Sequence, residues 1–157
     1  MNKQKGFSLI ELLIVVAIIL IIAAIAIPNL LRARIAANEA SAVASVRTLN
    51  TAQISYSSTY PTVGFASTLP RLAGTSCAPP SSTGACLIDT QLSSGTKSGY
   101  SFALTNVTGT PAATYQVNAT PLAQNQTGVR YFCSFADAVI RIPTSNTACS
   151  SSDQPLQ

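Results

Sequence analysis

The chain divides by the pattern of its polar and apolar positions. Positions 12–27 are apolar without exception, and the apolar character extends over residues 7–31 with Glu11 inside it. As an α-helix at ~1.5 Å per residue, residues 7–31 reach roughly 38 Å, enough to cross a bilayer. An ionised carboxylate in that setting costs on the order of 3 kcal/mol, so Glu11 calls for an explanation.

Residues 29–60 remain helix-compatible, rich in alanine and free of glycine and proline. Leu31, Ile35, Ala42, Val46, Leu49 and Tyr56 recur at spacings of three, four and seven, which predicts an amphipathic helix with one buried stripe. Pro28 is expected to kink or open the helix, because it lacks an N–H and crowds the preceding turn. Pro61 is expected to end it. Residues 61–98 carry turn chemistry, with short helices predicted at 66–72 and 87–92.

From residue 99 the period changes to two. Tyr100, Phe102 and Leu104 alternate with polar neighbours, as do Tyr115, Val117 and Ala119. With 129–135 and 139–142 they make four predicted strands, separated by turns at 108–111, at 126–128 and at Asp137. The expected fold class is α+β. A long N-terminal helix, with a transmembrane half (7–31) and an amphipathic half (32–60), packs on a C-terminal antiparallel sheet of about four strands within 99–157.

Composition narrows the setting. Charged residues are 9% of the 157-residue chain, against roughly 25% in ordinary soluble proteins. Such a polar, weakly charged surface suits a secreted or surface-exposed protein. The net charge of +4 does not point to nucleic acid: Lys3, Lys5, Arg32 and Arg34 flank the apolar run and the other basic residues are scattered. Four cysteines, Cys77, Cys86, Cys133 and Cys149, suggest two disulfides in an exported domain. Three pairings are possible, and short local loops favour Cys77 with Cys86 and Cys133 with Cys149. Zinc is disfavoured, since the chain has no CxxC pair and no histidine. Basic residues flank the apolar run on both sides, so the cysteines decide orientation: the N-terminus is cytoplasmic and the rest lies outside the inner membrane.

Catalytic chemistry has little to work with. Without histidine there is no Ser-His or Cys-His nucleophile, and no phosphate loop or dinucleotide fingerprint appears. Asp89, Asp137 and Asp153 are candidate calcium ligands, but turn and cap duty is the ordinary role of such residues. Asn106, Asn118 and Asn125 each head an Asn-x-Thr triplet, a pattern that arises by chance in so Ser/Thr/Asn-rich a chain. No cofactor is expected.

The stretch Lys5-Gly6-Phe7-Ser8-Leu9-Ile10-Glu11-Leu12, followed by the apolar run and Pro28, resembles the class III signal of type IV pilins and their pseudopilin relatives. The resemblance is specific over about residues 3–32. It implies a leader, residues 1–6, removed by a prepilin peptidase that cuts between Gly6 and Phe7 and methylates the new Phe7 amine. Glu11 matches the family's glutamate, and Pro28 the proline where the helix loosens in filaments. In a stack of staggered helices, the Glu11 carboxylate of one subunit would meet the Phe7 ammonium of the next. The implied partners are other copies of the chain, the peptidase and an inner-membrane assembly platform, and the implied destination is a cell-surface pilus. A glutamate at this position favours a major over a minor subunit. A major pseudopilin of a type II secretion system is the alternative, disfavoured by four cysteines and few acids. A membrane-anchored binding protein would leave the Gly6-Phe7 junction unexplained.

Overall fold

The helix predicted from the apolar run and the alanine-rich stretch is a single element. In the computed structural model, which describes residues 7–74, 79–143 and 149–156, α1 runs over Leu9–Thr59. It passes through Pro28 without a break in the helical assignment, so the expected opening is not seen. The proline removes one backbone donor, and the turns on either side keep theirs. The chain separates into two units, Met1–Arg34 and Ile35–Gln157. The first, where described, is apolar helix with exposed side chains.

In the second unit, a six-stranded antiparallel sheet follows the helix. Its strands are β1 (Thr96–Lys97), β2 (Tyr100–Gly109), β3 (Ala112–Pro121), β4 (Phe132–Phe135), β5 (Ile140–Ile142) and β6 (Gln154–Pro155), paired in chain order. The sheet therefore has six strands, not four. The two additions are two-residue pairings at the edges, too short to show a period. β2 and β3 form the long hairpin, with Phe102 opposite Ala119 and Leu104 opposite Val117. A bulge lies between Thr105 and Thr108, where Asn106 takes a φ of +52°. Tyr100, Phe102, Tyr115, Val117 and Ala119 pack with Ala42, Val46, Leu49 and Tyr56 of α1 to form the core.

Competing polar bonds move several boundaries. The third strand starts at Phe132 rather than 129, because the Val129 and Arg130 N–H groups donate to Glu39 of α1. The fourth starts at Ile140, because the Val139 N–H is held by Asp137. Helix α2 is Leu69–Ala73, not 66–72, since Gln53 of α1 occupies both backbone groups of Ala66 (2.8 and 2.9 Å). Helix α3 is Thr90–Ser93, capped by Asp89, while Leu87 and Ile88 donate their N–H groups to Leu72. Gly64 allows the nearest backbone approach. A Cβ there would collide with the Ala112 main chain, whose N–H and C=O bond to Val63 and Phe65.

The buried face of α1 differs from the apolar stripe expected. Glu39, Ala42, Val46, Leu49, Gln53 and Tyr56 are buried, while Leu31 is 42% exposed and Ile35 half-buried. Asn50 lies beside that row. Its amide donates to the Ser134 hydroxyl (2.8 Å) and the Ala138 carbonyl (3.3 Å) and accepts from the Tyr115 hydroxyl (3.3 Å). Gln53→Ala should lower the stability of this unit by about 2–3 kcal/mol, because Ala66 would keep two buried backbone groups without partners. Thermal unfolding of the full chain in detergent checks this, and an unchanged midpoint would remove Gln53 from the account.

Candidate assembly segment at the amino terminus

Ser8 and Glu11 stand at the spacing of a capping box, three residues apart at the start of α1. The Ser8 backbone N–H donates to Glu11 Oε2 at 2.9 Å, and the Leu12 N–H donates to the Ser8 carbonyl at 3.2 Å. A negative side chain in the first turn also faces the positive end of the helix dipole. In the single subunit, Glu11 thus serves the helix start, a role that apolar patterning alone does not reveal. The Ser-x-x-Glu spacing was the signal for it.

Beyond Glu11 the helix presents only apolar surface to Ile27. Leu12, Leu13, Leu20, Ile21 and Ile25 are each at least 60% exposed, and Phe7 is 85% exposed. Soluble monomers rarely expose apolar patches beyond a few hundred Å², and this one circles the helix. Among the described residues, α1 is long and apolar enough to cross a membrane. Phe7 lies just before α1 and Pro28 within it. Gly6, the proposed cleavage residue, lies outside the described residues.

The remaining candidates lie in the second unit and do not converge. Cys133 and Cys149 form a disulfide with Cα atoms 6.3 Å apart. Cys86 is disulfide-bonded, and Cys77 lies outside the described residues. Cys133, Cys149 and Asp153 bring ligand-type atoms within 4.8 Å of one another, but sulfurs joined to each other offer no thiolate to a cation. The three aspartates serve backbone and arginine or lysine partners. Asp89 accepts from the Leu92 N–H (2.6 Å) and from Lys97 (2.8 Å). Asp137 accepts two bonds from the Arg141 guanidinium (2.6 and 3.1 Å), and Asp153 accepts from the Ser150 N–H (2.7 Å). Asn106 and Asn118 are tied into a chain of side-chain bonds with Gln116 and Thr105 across β2 and β3.

Residues 1–27 match the family described as the prokaryotic N-terminal methylation motif. The chain carries the methylation motif of prepilins. The type IV wide pilus major component of Thermus thermophilus is 67% identical over 39 residues, 25% of this chain and 30% of that protein. The type IV major pilin protein of Myxococcus xanthus is 48% identical over 54 residues, 34% of this chain and 24% of that protein. The chain thus spans less than a third of the length of these curated relatives. No solved structure matches it. The matched motif falls on the start of this capped, exposed apolar helix, and the α+β arrangement of helix followed by antiparallel sheet is consistent with a pilin fold.

Glu39 is not among the residues singled out from the sequence. Its Oε1 accepts from the Val129 and Arg130 N–H groups (2.9 and 3.0 Å) and its Oε2 from Arg130 Nε (2.8 Å). Next to it, Asn38 donates to the Thr127 carbonyl at 2.8 Å. Gly128 completes the docking of this loop, since a Cβ there would strike the Tyr100 ring. Burial pushes the Glu39 carboxyl up, but the two backbone N–H groups and Arg130 outweigh it and hold the group below its usual 4.5. A depressed carboxylate stabilises the fold fully above its unfolded pKa and loses that stabilisation as pH falls through the folded value. Stability should therefore drop in acid below about pH 4.5. Glu39→Gln should cost about 2 kcal/mol at neutral pH and make the acid slope shallower. Asp89 and Asp137, lowered by Lys97 and Arg141, act in the same direction. Unfolding midpoints across pH 3–7 check this, and an identical slope in both proteins would contradict it.

Proposed function

We propose that this chain is a subunit, of the major type, that polymerises into a type IV pilus filament. The observation that carries the reading is the prepilin segment: a methylation motif, a helix whose apolar surface lies open from residue 12 to 27, and a single carboxylate at its start. The two curated relatives, both named as major pilus subunits, support it. They favour a pilus over a type II secretion pseudopilus. The work of the chain is then structural rather than enzymatic.

In this reading the precursor sits in the inner membrane with its N-terminus in the cytoplasm. The prepilin peptidase cuts between Gly6 and Phe7 and methylates the Phe7 amine. Glu11 then exchanges partners. In the lone subunit it accepts the Ser8 N–H, and in the filament it meets the Phe7 ammonium of a neighbour. A charge pair taken out of water is tolerated where an unpaired charge is not, so the pair sets axial register more than it adds strength. Head-to-tail contacts that do not close yield a helical polymer. The assembly platform extracts the subunit, Pro28 marks where the helix loosens, and the sheets coat the outside. Adhesion, twitching motility or DNA uptake would follow from the machinery around the filament.

The capping geometry separates the two roles of Glu11. Glutamine at the third helical position still caps, so Glu11→Gln removes the charge and keeps the Ser8 bond, whereas Glu11→Ala removes both. Sheared surface filaments should fall at least tenfold in both variants, with similar amounts of membrane-inserted, cleaved subunit. Normal filament yield in Glu11→Gln would refute the charge-register role, leaving capping as the only function of Glu11.

A further inference from the structure

The second end of the apolar segment carries charges that no contact among the described residues explains. Arg32 and Arg34 follow the apolar run directly and are exposed. Among the described residues, neither side chain takes part in a hydrogen bond, ion pair or ring contact. Their own stretch of sequence offers no acid, because none stands between Glu11 and Glu39. Glu39 is itself taken by Val129 and Arg130.

Spacing gives these two cations a location. The 21 residues from Glu11 to Arg32 rise ~32 Å in an α-helix, against a bilayer hydrocarbon core of about 30 Å. With Glu11 at one edge of the core, Arg32 and Arg34 reach the opposite headgroup layer. Residues two apart on a helix point roughly 200° away from each other, so one anion cannot serve both. A guanidinium matches the paired oxygens of a phosphodiester and is more weakly hydrated than an ammonium. We propose that Arg32 and Arg34 bind the phosphate headgroups of two anionic phospholipids, one on each side of the helix, in the leaflet through which the chain leaves the membrane. This rests on the membrane-inserted precursor described above. The grip fixes the depth of the helix before assembly, and the pair must release its lipids when the subunit is extracted.

The test uses the full chain with Lys3→Gln and Lys5→Gln, so that cations at the other end do not contribute. It is reconstituted in phosphatidylcholine vesicles, and the preference for spin-labelled phosphatidylglycerol over spin-labelled phosphatidylcholine is read from the motionally restricted fraction. A preference of about fivefold is expected, the size of one cation near an anionic headgroup layer. It should fall with added salt and approach unity in Arg32→Gln/Arg34→Gln. An unchanged preference in that double variant would overturn the proposal. So would an equal loss in Arg47→Gln, an exposed arginine of the second unit, since net charge alone would then explain it. Flotation with neutral phosphatidylcholine vesicles reports insertion separately. A chain that floats without a preference overturns only the lipid grip, and a chain that fails to float overturns the membrane reading along with it.

Discussion

Apolar surface that circles a helix has to leave water, and that constraint governs the amino-terminal unit. Among the described residues of its own unit, nothing packs on residues 12–27 to bury them. In the proposed function, lipid or other copies of the same helix supply the cover. Either environment penalises an unpaired charge, and the segment holds a single one, Glu11, at the end where its carboxylate reaches the Ser8 N–H. The glutamate is thus compatible with a lone subunit in a membrane and still available to a neighbour's amine. A simple anchor would need neither property.

The second unit solves a different problem, that of fixing loops on a helix whose buried face is only partly apolar. Glu39, Asn50 and Gln53 each hold a separate segment: the 127–130 loop, the β4–β5 turn and Ala66. A buried polar group needs its partner, so each bond specifies position as well as adding stability. At the far end, the Cys133–Cys149 disulfide, the β5–β6 pairing and the Arg141 bond to the Ser151 carbonyl hold the tail to the sheet. Arg141 is itself oriented by Asp137 and lies over the Phe135 ring.

These features explain what could be read from the sequence. The helix was legible because sixteen consecutive apolar positions and an alanine-rich continuation leave no other period. The long hairpin was legible from the alternation of Tyr100, Phe102 and Leu104 with their neighbours. The motif at residues 5–12 was legible because it combines a Gly-Phe pair with a charge at fixed spacing, and the family match over residues 1–27 covers it. The boundaries that moved did so where a side chain distant in sequence claims a backbone group. Glu39 lies 90 residues from Val129, and Gln53 lies 13 from Ala66, distances at which local pattern carries no information. The two edge strands were too short to show alternation. Glu39 was not legible because a helix stripe is read by apolarity, while its partners, two backbone N–H groups and the Arg130 side chain, lie 90 and 91 residues away.

The apolar helix is proposed to be processed at Phe7 and to enter a filament core. Electron microscopy of sheared surface filaments, combined with mass spectrometry of the N-terminus of their subunit, tests it most directly. Long extracellular fibres whose subunit begins with an N-methylated Phe7 are expected. Finding only a chain that still begins at Met1, or a cleaved chain confined to the membrane with no fibres, would contradict it.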